Sequence, residues 1–272
     1  MLNRLFKWTL PLILLVAYVL PFLGVAFWSV SLPPGIGLGN YREIVDNAHI
    51  VNVVFETFRI SAIATLISVL LAYIVAHCWT FATPKGKIFI EIFVLIPFWV
   101  SALIRAFAWI LVLRNDGIAN NWLLQLGVIG APLPLVRNEF GVLVGMVHFM
   151  IPYALFPIMT SFAQVDRRLL LASRGLGAGR FRTFWEILFP LTLPGTIGAG
   201  IIVFVFCLGF YVTPAILGGG RVIMIAEYIY QQLFQISNWG LAAALAITMV
   251  AVVAVLLRLV GLIGGPSLVQ RN

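Results

Sequence analysis

The residues best suited to chemistry in this sequence are charged side chains placed where charge is costly. Glu91 and Arg105 interrupt the apolar run from Ile88 to Leu113. An ionisable group inside such a run is a candidate for pairing with a solute or with a neighbouring helix. On a regular helix the two would stand ~21 Å apart, too far to pair with each other. Arg105 is therefore expected to meet Asp116, Glu227 or an acid on a partner chain, and Glu91 to anchor near Lys85 or Lys87. His49, His77 and His148 are dispersed and form neither a metal site nor a triad, so packing or interface roles are expected for them. Cys78 and Cys207 lie in apolar runs and read as buried free thiols, without a disulfide or zinc pattern. No G-x-x-x-x-G-K-S/T string occurs, and Gly86-Lys87 follows no glycine-rich loop. No catalytic residue is assigned, and the chain is not read as an enzyme.

The elements that must position these residues are set by composition. Of 272 residues, 62% are hydrophobic and only 10% charged; mean hydropathy is +1.08. A soluble domain is about 45–50% apolar and about 25% charged, so this chain cannot cover a water-facing surface. The expected fold class is all-α, a polytopic protein with lipid as its main solvent. A spanning helix needs about 20 mostly apolar residues. Six such runs are present: Trp8 to Val30, Phe58 to Ala82, Ile88 to Leu113, Phe140 to Ala163, about Leu193 to Val212, and about Trp239 to Gly261. The first exceeds the roughly 7–15 residues of a signal-peptide core and reads as a retained helix. Residues 1–272 read as a single membrane domain without internal repeat.

The net charge of +8 fits a membrane protein with basic cytoplasmic loops and does not call for nucleic acid. Eleven of the seventeen basic residues fall on the side of the termini and even loops: Arg4, Lys7, Lys85, Lys87, Arg167, Arg168, Arg174, Arg180, Arg182, Arg258 and Arg271. Both termini are therefore expected in the cytoplasm. The three outer connections are rich in Pro and Gly, and read as short interfacial or re-entrant helices that need protein or a water cavity around their ends.

The loop from 164 to 190, between the fourth and fifth spans, is the most informative segment. Asp166 can cap a helix that runs through Arg174. Gly177 suits a left-handed C-cap. A second short helix follows from about Arg180, and Pro190 is expected to end or kink it. An amphipathic helix lying on lipid headgroups would share this composition.

The string Leu171-Ala172-Ser173, then Gly177, then Ile187-Leu188-Phe189-Pro190 resembles the EAA loop of permease subunits of binding-protein-dependent ABC importers. That pattern is E-A-A, three residues, Gly, nine residues, I-x-L-P. The spacing is kept, with Leu171 in place of the Glu and Phe189 in place of the Leu. Asn115-Asp116-Gly117, Pro132-Leu133-Pro134-Leu135, Pro152-Tyr153 and Thr213-Pro214-Ala215-Ile216-Leu217-Gly218-Gly219 are similar to the spermidine/putrescine permease branch, in particular its first permease.

The resemblance implies a type I ABC importer permease fold in a bacterial inner membrane. It implies a second permease subunit, two ATPase subunits that bind the loop, and a periplasmic substrate-binding protein. ATP and Mg would sit on the partner ATPase, with no cofactor in this chain. Leu171, Ala172, Ser173, Gly177, Ile187 and Pro190 would couple to the ATPase. A polyamine would be met by carboxylates and aromatic faces; Tyr153, Tyr211, Glu227 and Asp116 are candidates, alongside Phe210, Trp109, Trp239 and the cationic Arg105. The fifth span carries no acid, which leaves the same role with a non-polyamine solute open. A secondary transporter would be expected to show inverted repeats and broken helices around a midplane site. On this topology, reporter fusions after Lys87 and after Arg182 should both be cytoplasmic; a periplasmic signal from either would break it.

Overall fold

The computed structural model describes the backbone of residues 2–32 and 35–263. Side chains 2–8, 10, 32 and 259–263 lie outside the description, and with them those of Arg4 and Lys7; Arg271 lies outside it altogether. In chain order the elements begin with α1 (Leu2–Val30), a two-stranded antiparallel pair, β1 (Ser31–Leu32) and β2 (Gly35–Ile36), then α2 (Gly39–Asp46) and α3 (Ala48–Phe81). They continue with α4 (Pro84–Trp99), α5 (Ala102–Leu113), α6 (Ile118–Gln125) and α7 (Glu139–Ala163). After the loop come α8 (Arg167–Gly175), α9 (Arg180–Thr183), a π-helical turn (Phe184–Leu188) and α10 (Phe189–Leu208). Last are α11 (Val212–Leu217), α12 (Ile225–Tyr230) with a π turn at Gln231–Gln235, and α13 (Trp239–Ile263).

Five helical stretches are long and apolar enough to span a bilayer: Pro11–Val30, Ala48–Phe81, Glu139–Ala163, Arg180–Leu208 and Trp239–Arg258. The sixth span is broken. Pro84–Trp99 and Ala102–Gln125 meet at 103°, where a single run from Ile88 to Leu113 was expected. Pro97 lacks a backbone donor, and Val100 and Ser101 then take extended dihedrals (ψ 136° and 140°) that stop the helix. The Arg105 amide bonds the Ser101 carbonyl at 3.1 Å and starts α5 in a new direction.

Two other boundaries differ from expectation. The α3 helix starts at Ala48, ten residues before Phe58, and the Asn47 side chain accepts the His49 N–H at 3.0 Å in its first turn. Its 34 residues make it roughly 51 Å long, so it extends past a hydrocarbon core of about 30 Å. The fifth span starts earlier too. Pro190 does not end the short helix of the loop; the widened π turn just before it lets one helix run from Arg180 through Leu208. That helix stops at Gly209, so Tyr211 and Val212 belong to the next element.

Contacts divide the described residues into two compact units, 2–54 with 227–263, and 55–226. In the first, α1, α2 and α13 pack together. Asn40 Nδ2 donates to the carbonyls of Ser29 and Ser31, both at 3.0 Å, and Trp28 meets Trp239 at 6.3 Å between ring centroids. In the second, α7 and α10 form the main pair. Val142, Met146, Met150, Ala154, Ile158 and Phe162 bury one face of α7. Ala64, Ala72 and Ala76 on α3 and Ala199, Val203 and Cys207 on α10 complete the core. Small side chains let helix backbones approach where lipid offers no hydrophobic drive. Cys207 is buried as expected, whereas Cys78 is free but exposed.

Arg59 on α3 ties α3 to α7 by donating to Glu56 at 3.0 Å and to Glu139 at 2.7 Å. At Gly145, α7 leaves no room for a side chain: a Cβ there would sit 2.4 Å from Leu217 Cδ1 and 2.5 Å from Thr213 Cγ2 of α11. Gly198 on α10 has nothing within 4 Å of the same position. Gly145→Ala should therefore lower thermal stability in detergent by about 1–3 kcal/mol equivalent, while Gly198→Ala leaves it unchanged or raises it. Equal midpoints for the two variants would contradict this packing.

Candidate functional site

The loop between α7 and α10 folds as its residues dictate. Asp166 accepts the Arg168 N–H at 2.8 Å and caps α8. Gly177 takes φ +86°, and its N–H bonds the Arg174 carbonyl at 3.0 Å while that of Ala178 bonds Ser173 at 3.1 Å. This double bond pattern closes the helix with a left-handed residue, a conformation that other residues adopt only with strain. Ser173 Oγ and Thr183 Oγ1 lie 3.1 Å apart and join α8 to α9. Leu170 and Leu188 are buried and anchor the loop to the core of the second unit.

The six candidate coupling residues share this one loop. Leu171, Ala172, Gly177 and Pro190 are exposed; Ser173 and Ile187 are half-buried. Leu176 is 90% exposed and Phe181 78%, too apolar to face water without a cover. A cavity of about 650 Å³ opens beside the loop, lined by His77, Phe81, Leu170, Arg174, Arg180 and Phe184 among others. The loop thus joins a small, exposed backbone turn to apolar and cationic surface.

The pathway candidates are scattered differently. In the second unit, the guanidinium carbon of Arg105 sits 4.0 Å from the centroid of the Phe149 ring. Phe149 stacks on Tyr153 at 5.7 Å and tilts against Phe210 at 4.7 Å. Tyr153 also meets Phe206 at 4.9 Å and Phe98 at 5.5 Å. Trp109, one turn after Arg105, donates its indole N–H to His148 Nδ1 at 3.2 Å. Sequence reasoning missed Phe149, Phe98 and Phe206; the signal for Phe149 was its i, i+4 spacing to Tyr153 on α7.

Asp116 is not part of this cluster. It is exposed and paired with Arg114 at 2.7 Å, so it is not the partner of Arg105. Glu91 accepts the Trp79 indole N–H at 2.8 Å, and Lys87 Nζ lies 4.4 Å from the centre of the same ring; this is the anchor beside Lys87 that the sequence suggested. Tyr211 is half-buried next to Phe210. Glu227 belongs to the first unit, on α12, where it is buried with Oε2 lacking a hydrogen-bond partner. Among the described residues no cluster of His, Cys, Asp and Glu could hold a metal.

This architecture recurs in solved structures. A bacterial ABC transporter involved in the import of the acidic polysaccharide alginate superposes with a TM-score of 0.71 at 18% identity, over 93% of this chain and 91% of that one. The fold is that of an ABC transporter membrane subunit. No protein-family model matches the chain. It is 30% identical over 222 residues to the spermidine/putrescine transport system permease protein PotB of Haemophilus influenzae, covering 82% of this chain and 77% of that protein. PotB of Escherichia coli is 31% identical over 222 residues, covering 81% and 80%. The chain belongs to the spermidine/putrescine permease family of binding-protein-dependent ABC importers.

Burial pushes the Glu227 carboxyl above its usual value of 4.5. A carboxyl whose pKa is raised on folding opposes folding once it must ionise, so stability should fall as pH rises from about 4.5 through the elevated folded value. Glu227→Gln should remove that decline. Thermal midpoints of wild type and variant that follow the same pH slope would show that Glu227 is not buried in this way.

Proposed function

We propose that this chain is one of two permease subunits in an inner-membrane importer, with both termini in the cytoplasm. The loop at 164–190 docks on one of two ATPase subunits, which bind ATP and Mg; a periplasmic binding protein delivers the solute. The observation that carries this reading is the α8–Gly177–α9 turn. Its backbone is bare around Gly177, where an added Cβ would meet nothing within 4 Å, and Leu171, Leu176 and Phe181 stand exposed beside it. Such a surface suits a partner groove. Closure of an ATPase dimer would pull on the loop, and the continuous helix from Arg180 to Leu208 gives a stiff lever from loop to span. In population terms, the nucleotide-bound partner favours one of two permease conformers.

The relatives point to an amine-bearing small solute, with spermidine and putrescine as the leading candidates. Within the second unit Tyr153 and Tyr211 supply aromatic faces for a passing cation; Glu227, in the first unit, is a separate candidate carboxylate. Selectivity rests mainly on the binding protein, because the fifth span has no charged side chain from Ile187 to Leu208.

Gly177→Trp should abolish uptake and reduce co-purification of the ATPase while the spans still insert. The new side chain would strain the left-handed turn and block close approach of a partner. Ala172→Trp, on a helical position without that strain, should do the same. Full uptake and full ATPase recovery in both variants would leave the loop as a lipid-surface helix. Ligand screening on the cognate binding protein tests the solute: a binding protein that takes no amine would overturn the amine reading.

A further inference from the structure

Among the described residues Arg105 has no counter-ion. It lies in the first turn of α5, just past the 103° break, and only 9% of it is exposed. Its Nε and Nη1 are enclosed without a hydrogen-bond partner. The guanidinium rests on Phe149, an attraction that touches its flat face and leaves the edge donors unused.

Every carboxylate of the same unit is committed elsewhere. Glu56 and Glu139 hold Arg59, and Asp116 holds Arg114. Glu186 holds Arg182, Glu91 takes the Trp79 indole, and Asp166 caps α8. A guanidinium does not shed its proton in proteins. A buried charge left without a partner is strongly unfavourable. Its planar fork matches the two oxygens of a carboxylate.

The geometry points to Arg105 as an oxyanion-docking residue that takes a carboxylate-type group through Nε and Nη1 above the Phe149–Tyr153 stack. This rests on the importer reading, keeps an amine-bearing solute and departs from its two leading candidates, which carry no carboxylate. A fixed buried cation repels a pure polycation at that point of the chain. It suits an amine that also carries a carboxylate, whose ammonium end can lie on the Tyr153 and Phe206 rings. The same chemistry can come from a carboxylate of the companion permease, in which case the residue joins the two subunits.

The test uses the chain labelled with ¹⁵N-arginine and ¹⁵N-tryptophan in lipid nanodiscs, alone and assembled with its companion permease and ATPase. The Arg105 Nε–H signal is assigned by its loss in Arg105→Lys, which keeps the charge and removes the fork. The probes are γ-aminobutyrate and putrescine, which share an amine and differ in a carboxylate against a second ammonium. A shift of the Arg105 signal with γ-aminobutyrate, not with putrescine, supports a solute source. Followed through the Trp109 indole signal, Arg105→Lys should then weaken γ-aminobutyrate binding at least about tenfold. A shift on assembly, with no later response to either probe, supports a companion carboxylate. An Arg105 signal unchanged by assembly and by γ-aminobutyrate, or one that responds to putrescine, overturns the proposal. Failure of the wild-type chain to assemble with an ATPase would instead remove the importer reading beneath it.

Discussion

The hydrocarbon layer offers no water to a peptide group, so each backbone donor and acceptor within it must be satisfied inside the chain. The rest of the structure follows from that constraint. Most of the described backbone is helical, and within the apolar runs irregular backbone is confined to a few points. At Val100 and Ser101 the break between α4 and α5 keeps a bond from the Val100 amide to the Pro97 carbonyl, and another from Arg105 to Ser101. Around Pro190 the helix widens into a π turn rather than opening. Gly209 separates α10 from α11, and the Phe210 amide still bonds Cys207.

With backbone bonds confined to single helices, cohesion between helices comes from packing and from a few polar ties. The second unit shows both. Its core is built on Ala64, Ala72, Ala76, Ala154 and Ala199 between larger aliphatic residues, and Gly145 lets α11 sit against α7. Tyr73 and Thr192 exchange a hydrogen bond of 2.8 Å between α3 and α10. Arg59 and its two glutamates tie the body of α3 to the start of α7. Arg105 is the contrast: its ring contact with Phe149 holds α5 near α7, yet its Nε and Nη1 stay unused.

The loop between α7 and α10 links this membrane packing to its exposed end. Leu170 and Leu188 fix it to the core, while Leu171, Leu176 and Phe181 face outward. The alternation is forced by the short helix: adjacent residues on a helix point about 100° apart, so Leu170 can be buried while Leu171 is not. The turn at Gly177 then reverses the chain without adding a side chain to the outer surface.

Much of this was legible in the sequence because it depends on local rules. Long apolar runs give spanning helices, and the described ends of α7 fall within a residue of the expected Phe140 to Ala163. The Asp166 cap and the left-handed Gly177 follow from side-chain reach and backbone sterics within a few residues. The EAA-like spacing was readable as a family resemblance rather than from such rules. What needed the tertiary structure was everything set by distant groups. The 103° break at Val100 and Ser101 is larger than hydropathy registers, because the run from Ile88 to Leu113 is apolar on both sides of it. The continuity through Pro190 rests on a change of helical pitch that hydropathy does not register. The partners of Arg59 and Arg105 depend on which helices lie side by side; Glu139 stands eighty residues from Arg59 in sequence and 2.7 Å away in space.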